Sequence, residues 1–171
     1  MALQYILDGY NIIHGVEFSA GRSLEESRAV LLGLIRRRQL AGSSRNQVMV
    51  VFDGKNDVWG EPHGGPEKII FTSGETADDY IKRSVQEAQQ PYEIIVVTND
   101  GELGCYVRKL GARLMSVEDF LMKGRGGAKT GGQIADRKKS PDGVKNITHM
   151  MERNINAELE DIWINRKKKD V

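Results

Sequence analysis

Short apolar runs alternate with helical repeats of apolar positions over residues 1–122. Five runs have the length and apolar density that are typical of buried strands: residues 4–7, 47–52, 68–72, 93–98 and 113–115. Between them, apolar residues recur every three or four positions, which is typical of amphipathic helices. Strands that alternate with helices favour a mostly parallel sheet. The pattern therefore predicts an α/β domain with helices on both faces of the sheet.

Capping residues mark where the predicted helices begin. Ser23 and Glu26 form a capping-box sequence, and this helix is expected to run to Ala41, with Gly42 at its end. Its apolar stripe consists of Leu24, Val30, Leu31, Leu34 and Ile35. Further helices are predicted from Thr76 to the stop at Pro91, over 102–110, and from Ser116 to Met122.

The pattern changes after Lys123. Residues 123–145 are rich in glycine and basic residues and have too little apolar content to pack, so a loop is predicted there. Residues 146–171 regain a helical repeat and end in a basic tail. The predicted organisation is one domain over 1–122, the basic loop, and a C-terminal amphipathic helix with the repeat Ile147, Met151, Ile155, Leu159 and Ile162.

Composition indicates where in the cell the protein is expected to act. No apolar run approaches the roughly 20 residues of a membrane-spanning helix, so no membrane association is expected. The single cysteine, Cys105, has no partner for a disulfide within the chain, and the first residues resemble a strand instead of a signal sequence. A cytoplasmic location is therefore expected.

The net charge of +1 conceals an asymmetry. Residues 1–121 carry 13 basic against 17 acidic residues, whereas residues 122–171 carry 12 against 7. A basic segment beside an acidic pocket suits a polyanionic substrate, and its candidate phosphate ligands are Arg137, Lys138 and Lys139. A solvated tail is the alternative for the same charges.

Four aspartates sit where a predicted strand ends or a helix begins: Asp8, Asp53, Asp78 and Asp100. Parallel strands would gather these carboxylates at one edge of the sheet, where open α/β folds place their sites. Carboxylates in a cluster repel one another unless a cation binds, and oxygen ligands suit Mg²⁺ or Mn²⁺. Asn11 follows Asp8 by three residues and adds an amide. Asp-Gly and Asn are also ordinary turn formers, which is the structural alternative.

The same segments carry a family resemblance. Asp-Gly-Tyr-Asn at 8–11, Val-Phe-Asp-Gly at 51–54, Phe-Thr-Ser-Gly-Glu-Thr-Ala-Asp-Asp at 71–79 and Val-Thr-Asn-Asp at 97–100 resemble the YacP-like branch of the NYN domains, relatives of the PIN-domain nucleases. The resemblance implies a three-layer PIN-like fold and a metal-dependent endoribonuclease acting on single-stranded RNA. Some relatives act on messenger RNA at the ribosome. The resemblance also implies that Asp8 and Asp78 are the principal catalytic residues and that Asp100 is a further catalytic carboxylate. By the same resemblance, Asn11 and Asp53 support them.

The expected mechanism is hydrolysis of a phosphodiester by water that Mg²⁺ or Mn²⁺ activates, leaving a 5′-phosphate on the product. Asp8, Asp78 and Asp100 are expected to hold the metal, and Asp53 to complete or support the cluster. Tyr10 is a candidate for stacking on unpaired bases.

Two other functions fit the residues. One is a catalytically silent RNA-binding module, in which the acids only cap helices and form turns. The other is a phosphatase or phosphotransferase with Asp8 as the nucleophile. Such enzymes usually have a second acid two residues further on, where this chain has Tyr10.

Overall fold

Five strands form a single sheet in the order β3-β2-β1-β4-β5, and every neighbouring pair is parallel. The computed structural model describes residues 2–15, 21–54 and 66–123. All five predicted strands are present: β1 Gln4–Asp8, β2 Gln47–Asp53, β3 Lys68–Thr72, β4 Ile94–Val97 and β5 Arg113–Met115.

Helices cover both faces of this sheet. They are α1 Gly9–Gly15, α2 Leu24–Arg38, α3 Ala77–Gln86, α4 Gly101–Lys109 and α5 Val117–Met122, with a 3₁₀ turn at Pro91–Glu93. Helices α1, α2 and α5 share a core with Leu7 and Val97, whereas α3 and α4 share a core with Ile6 and Val96. The predicted three-layer α/β architecture is confirmed.

Helix α2 begins as predicted and ends earlier. The capping box is present, since Glu26 N–H donates to Ser23 Oγ at 3.2 Å and Ser23 N–H donates to Glu26 Oε2 at 2.8 Å. The predicted end at Ala41 is wrong, because Gln39 adopts a left-handed conformation and Leu40 N–H turns back to Ile35 O. Leu24 belongs to the predicted apolar stripe but is 46% exposed in the first turn, so the stripe is buried only from Val30 onwards.

Helix α1 replaces the turn that the sequence suggested after Asp8. Asp8 Oδ1 accepts a hydrogen bond from Asn11 N–H at 3.1 Å, so the last residue of β1 also caps α1. The chain passes so close to the core that a Cβ on Gly9 would lie 2.3 Å from the ring of Phe52. Strand and helix are therefore joined without a loop, and Asp8 is held from both sides.

Two predicted features lie outside the described residues. These are the basic loop with Arg137, Lys138 and Lys139, and the C-terminal helix. Within the described part of the chain, no helix is long and apolar enough to cross a membrane.

Candidate active site

Strand register places Asp8 beside Thr98 at the carboxyl edge of the sheet. Leu7 pairs with Val97, so the next residue of each chain segment lies at the same level. Side chains alternate between faces, and Ile6 and Val96 pack under α3 and α4, so Asp8 and Thr98 point to that same face. Thr98 Oγ1 donates a hydrogen bond to Asp8 Oδ2 at 3.3 Å. Both residues are buried, with Asp8 7% exposed.

The first turns of α3 and α4 bring two more carboxylates to this face. Thr76 caps α3, and Asp78 follows the buried Ala77, which leaves Asp78 half-buried. The neighbouring Asp79 is exposed. Asp100 caps α4, and its Oδ1 accepts a hydrogen bond from Leu103 N–H at 2.7 Å.

The three carboxylates act on one another electrostatically. Burial, with smaller contributions from the charges of Asp78 and Asp100, raises the pKa of Asp8 to about 6, although the hydrogen bonds from Asn11 and Thr98 act in the opposite direction. The pKa of Asp78 is also raised. Burial is the largest cause, and the charge of Asp100 is the second. The charge of Lys82 lowers the pKa of Asp78. Asp8, Asp78 and Asp100 thus form one acidic cluster at the edge of the sheet.

This acidic cluster suits a hard divalent cation by its chemistry. The ligands that the cluster offers are carboxylate oxygens, and a cation would offset the repulsion that contributes to the raised pKa values of Asp8 and Asp78. Among residues 2–15, 21–54 and 66–123, no group of three or more His, Cys, Asp or Glu side chains is placed to hold a metal ion together. Mg²⁺ commonly takes only one or two carboxylates, with waters and substrate phosphates filling its other positions. The residues present fit an ion bound in that way.

Asn11 fixes the connection that carries Asp100. Its Oδ1 accepts a hydrogen bond from Asn99 N–H at 2.7 Å, so α1 is tied directly to the segment between β4 and α4. The family resemblance implies that Asn11 supports the catalytic residues, and this bond gives it a positioning role in the structure.

Thr98 and Asn99 were missed as site residues. Thr98 contacts Asp8, and its Oγ1 also accepts a hydrogen bond from Asp100 N–H at 3.0 Å. The Asn99 side chain accepts from Val117 N–H at 3.0 Å and donates to Glu118 at 2.9 Å, which anchors the start of α5. The signal was present in the sequence, because both residues belong to the Val-Thr-Asn-Asp segment from which only Asp100 was selected.

Asp53 lies further along the same edge. Asp8 pairs with Val51, so β2 continues two residues beyond the level of Asp8. Asp53 is exposed, and its Oδ1 accepts a hydrogen bond from Thr72 Oγ1 at 3.3 Å.

Tyr10 packs within the domain on the other face of the sheet. Its ring centroid lies 5.3 Å from that of Phe52 and 6.1 Å from that of His14, and the Arg28 guanidinium lies 5.3 Å from the Tyr10 ring centroid. These contacts occupy much of the ring surface that base stacking would need.

Comparison with known proteins places this arrangement in a family. The model of the YacP-like NYN domain matches residues 5–163. A crystal structure of a mutant of Rae1 (YacP) from Bacillus subtilis is 26% identical, with a TM-score of 0.57 over 71% of this chain and 74% of the Rae1 chain. A second Rae1 crystal structure is 22% identical, covers 99% of this chain and 86% of its own, and has a TM-score of 0.51, which supports the fold alone. A search of curated proteins found no match.

The family match extends from β1 through all five strands and includes each carboxylate of the acidic cluster. NYN domains of this type imply a nuclease-type, RNA-related function. This chain belongs to the YacP-like NYN domain family.

Proposed function

We propose that this protein is an endoribonuclease that cleaves single-stranded RNA, including messenger RNA, with the help of Mg²⁺ or Mn²⁺. The observation that carries the proposal is the acidic cluster, in which burial and mutual repulsion raise the pKa of both Asp8 and Asp78. A fold gains nothing in stability from such repulsion, whereas a phosphodiesterase site needs anionic ligands for a cation. Membership in the YacP-like NYN family supports the same reading.

The chain supplies three carboxylates held in different ways. Each oxygen of Asp8 accepts one hydrogen bond, from Asn11 N–H and from Thr98 Oγ1, which fixes the plane of the carboxylate. Asp100 is fixed through the bond from Leu103 N–H to its Oδ1. Asp78 is half-buried in the first turn of α3 and has one face open to solvent. Preorganised ligands of this kind lower the cost of assembling the site around substrate.

Asp8, Asp78 and Asp100 would hold the cation, one or two of them as direct ligands and the others through bound water, with Asp53 as a further carboxylate at the same edge. The chemistry that a bound divalent ion supplies is activation of water and neutralisation of charge on the phosphate. Asn11 would keep Asp100 in place through its bond to Asn99 N–H. Arg137, Lys138 and Lys139 are proposed to attract the RNA backbone, because their charge opposes that of the phosphates.

The test is cleavage of an end-labelled single-stranded RNA by the full chain with Mn²⁺, with Mg²⁺ and with EDTA. Asp8→Asn and Asp78→Asn remove one charge each from the acidic cluster and are expected to abolish cleavage. Asp79→Asn is the matched control, because it removes an exposed carboxylate from the same helical turn as Asp78. Cleavage should require metal and should survive in the control.

Other outcomes identify the alternatives. RNA binding without cleavage under any metal condition would indicate a silent RNA-binding module. Release of phosphate from a phosphomonoester, lost in Asp8→Asn while RNA stays intact, would indicate a phosphatase with an aspartyl nucleophile. An Asp78→Asn variant that cleaves as well as the natural chain would exclude the proposed assignment of the metal ligands.

A further inference from the structure

Arg28 on α2 sits against three aromatic rings at the carboxyl end of the sheet. Its guanidinium carbon lies 5.3 Å from the ring centroid of Tyr10, 5.4 Å from that of Phe52 and 5.1 Å from that of Phe71. These distances are typical of cation–π contacts, which hold the guanidinium in a defined place. We call Arg28 and these three rings the arginine–aromatic cluster.

The charge of Arg28 has no acidic counterpart in the described part of the chain. No carboxylate there forms an ion pair with it, and its Nε is enclosed without a hydrogen-bond partner. Its bond to the Tyr10 hydroxyl uses one of five donor hydrogens. Because Nε is enclosed, the donors that remain for a ligand are on the two Nη atoms, and an anionic ligand would accept hydrogen bonds from them.

Tyr10 adds a second donor at the same place. Its hydroxyl oxygen accepts the hydrogen bond from Arg28 Nη2, so its own hydrogen is available for another acceptor. Arg28 and Tyr10 together therefore present N–H and O–H groups side by side. This combination matches the oxygens of a phosphate, for which the planar fork of arginine is well suited.

The arginine–aromatic cluster and the acidic cluster lie at the same edge of the sheet, on opposite faces. Asp8 points towards α3 and α4, whereas Phe52 belongs to the core under α1 and α2. Tyr10 follows Asp8 by two residues in the helix that Asp8 caps. A strand of RNA that crosses this edge would meet both clusters.

We propose that Arg28 and Tyr10 bind a backbone phosphate of the RNA, on the α1 and α2 side of the sheet edge. This inference rests on the proposed function, because it describes where the RNA substrate of the proposed nuclease passes next to the acidic cluster. Tyr10 then acts through its hydroxyl, while its ring stays packed in the protein. Such a contact is independent of RNA sequence, because it engages only the backbone.

The test measures binding of a labelled single-stranded RNA in EDTA, in an Asp78→Asn background, at several salt concentrations. Arg28→Gln is expected to weaken binding roughly tenfold, as for loss of a charge-assisted hydrogen bond, and to lower the salt slope by about 1. Tyr10→Phe keeps the ring and should weaken binding less, and Arg28→Lys should restore the salt slope without the full affinity. Arg37→Gln is the control, since it removes an exposed arginine from the same helix.

Thermal unfolding of each variant separates a binding role from a structural one. Variants that unfold at lower temperature while affinity and salt slope stay unchanged would show that the cluster only stabilises the fold, and the proposal would be overturned. Inorganic phosphate could also raise the unfolding temperature of the natural protein. If Arg28→Gln lost this stabilisation but kept the RNA affinity, the site would bind a free anion instead of RNA, and the proposal would again be overturned.

Failure of this inference and failure of the proposed function give different results. If the natural chain cleaves RNA and Arg28→Gln binds and cleaves normally, the phosphate contact is wrong and the nuclease assignment stands. If Arg28→Gln loses affinity but no metal supports cleavage, the contact is correct and the nuclease assignment is wrong. If the natural chain binds no RNA, both are wrong.

Discussion

Thr98 donates a hydrogen bond to the carboxylate of Asp8 across 90 residues of sequence, at 3.3 Å. The same hydroxyl oxygen accepts the backbone N–H of Asp100 at 3.0 Å. One buried side chain therefore links the first aspartate of the acidic cluster to the segment that carries the third. The link exists because β1 and β4 are neighbours in register.

Removal of this hydroxyl should affect both stability and activity. Thr98→Val keeps the shape of the side chain but leaves the Asp100 N–H without its acceptor and Asp8 without a donor. We expect a loss of about 1–3 kcal/mol in the free energy of unfolding, together with a further rise in the pKa of Asp8. Urea unfolding and the pH dependence of RNA cleavage measure the two effects. Thr98→Ser is the control, because it retains the hydroxyl; an equal loss in both variants would point to packing instead.

Gly9 and Gly101 occupy equivalent positions and should respond differently to alanine. Each follows a capping aspartate at the first position of a helix. A Cβ on Gly9 would lie 2.3 Å from the fully buried Phe52 ring, whereas a Cβ on Gly101 would meet nothing within 4 Å. Gly9→Ala should therefore cost about 1–3 kcal/mol, as overpacking does, and should lower activity by shifting Asp8.

Gly101→Ala should be neutral or stabilise the protein by up to about 1 kcal/mol, because alanine is the better helix former. Thermal unfolding of the two variants side by side tests the pair. If Gly9→Ala and Gly101→Ala changed the stability by the same amount, the contact with Phe52 would not be the cause of the loss expected for Gly9→Ala.

Local chemistry explains how much of the site the sequence could predict. The strands are short apolar runs, and the aspartates that end them must meet at one edge once the sheet is parallel. Thr76 and Ser116 cap their helices as the sequence predicts. These features depend on neighbours within about four residues, so one sequence was sufficient to predict them.

Features that depend on tertiary contacts could not be predicted in the same way. The bond between Thr98 and Asp8 requires knowledge of strand order and register. Helix α1 was missed because Asp-Gly is also a turn signal, and only the packing of Gly9 on Phe52 selects the helix. The environment of Arg28 combines α1, α2, β2 and β3, so no local pattern indicates it.

Asp8→Asn should stabilise the metal-free protein at neutral pH. Burial raises the pKa of Asp8 from 3.8 to about 6, so the folded state binds a proton more tightly than the unfolded state. Between these pH values, stability must fall as the pH rises, and the full cost is present above about pH 6. A shift of this size corresponds to about 3 kcal/mol. Asparagine carries no charge and avoids this cost.

The measurement is urea unfolding in EDTA across a pH series. The gain from Asp8→Asn should be largest near pH 8 and should shrink towards about pH 4, where Asp8 is protonated in the folded protein. Asp79→Asn removes an exposed carboxylate and should show a much smaller pH-dependent difference. A pH-independent effect of Asp8→Asn would indicate that the charge of Asp8 is not the cause.

Divalent cations should stabilise the natural protein, and more strongly as the pH rises. A ligand that binds only the folded state raises the free energy of unfolding by about 2.7 kcal/mol at a concentration of roughly 100 times its Kd. The cation must displace the proton that the raised pKa values of Asp8 and Asp78 favour, so its affinity should fall below about pH 6. Thermal unfolding with Mn²⁺, Mg²⁺ and EDTA at several pH values measures this linkage. Asp78→Asn should lose most of the metal-dependent shift and Asp79→Asn should keep it, whereas an equal shift in both variants would place the bound ion outside the acidic cluster.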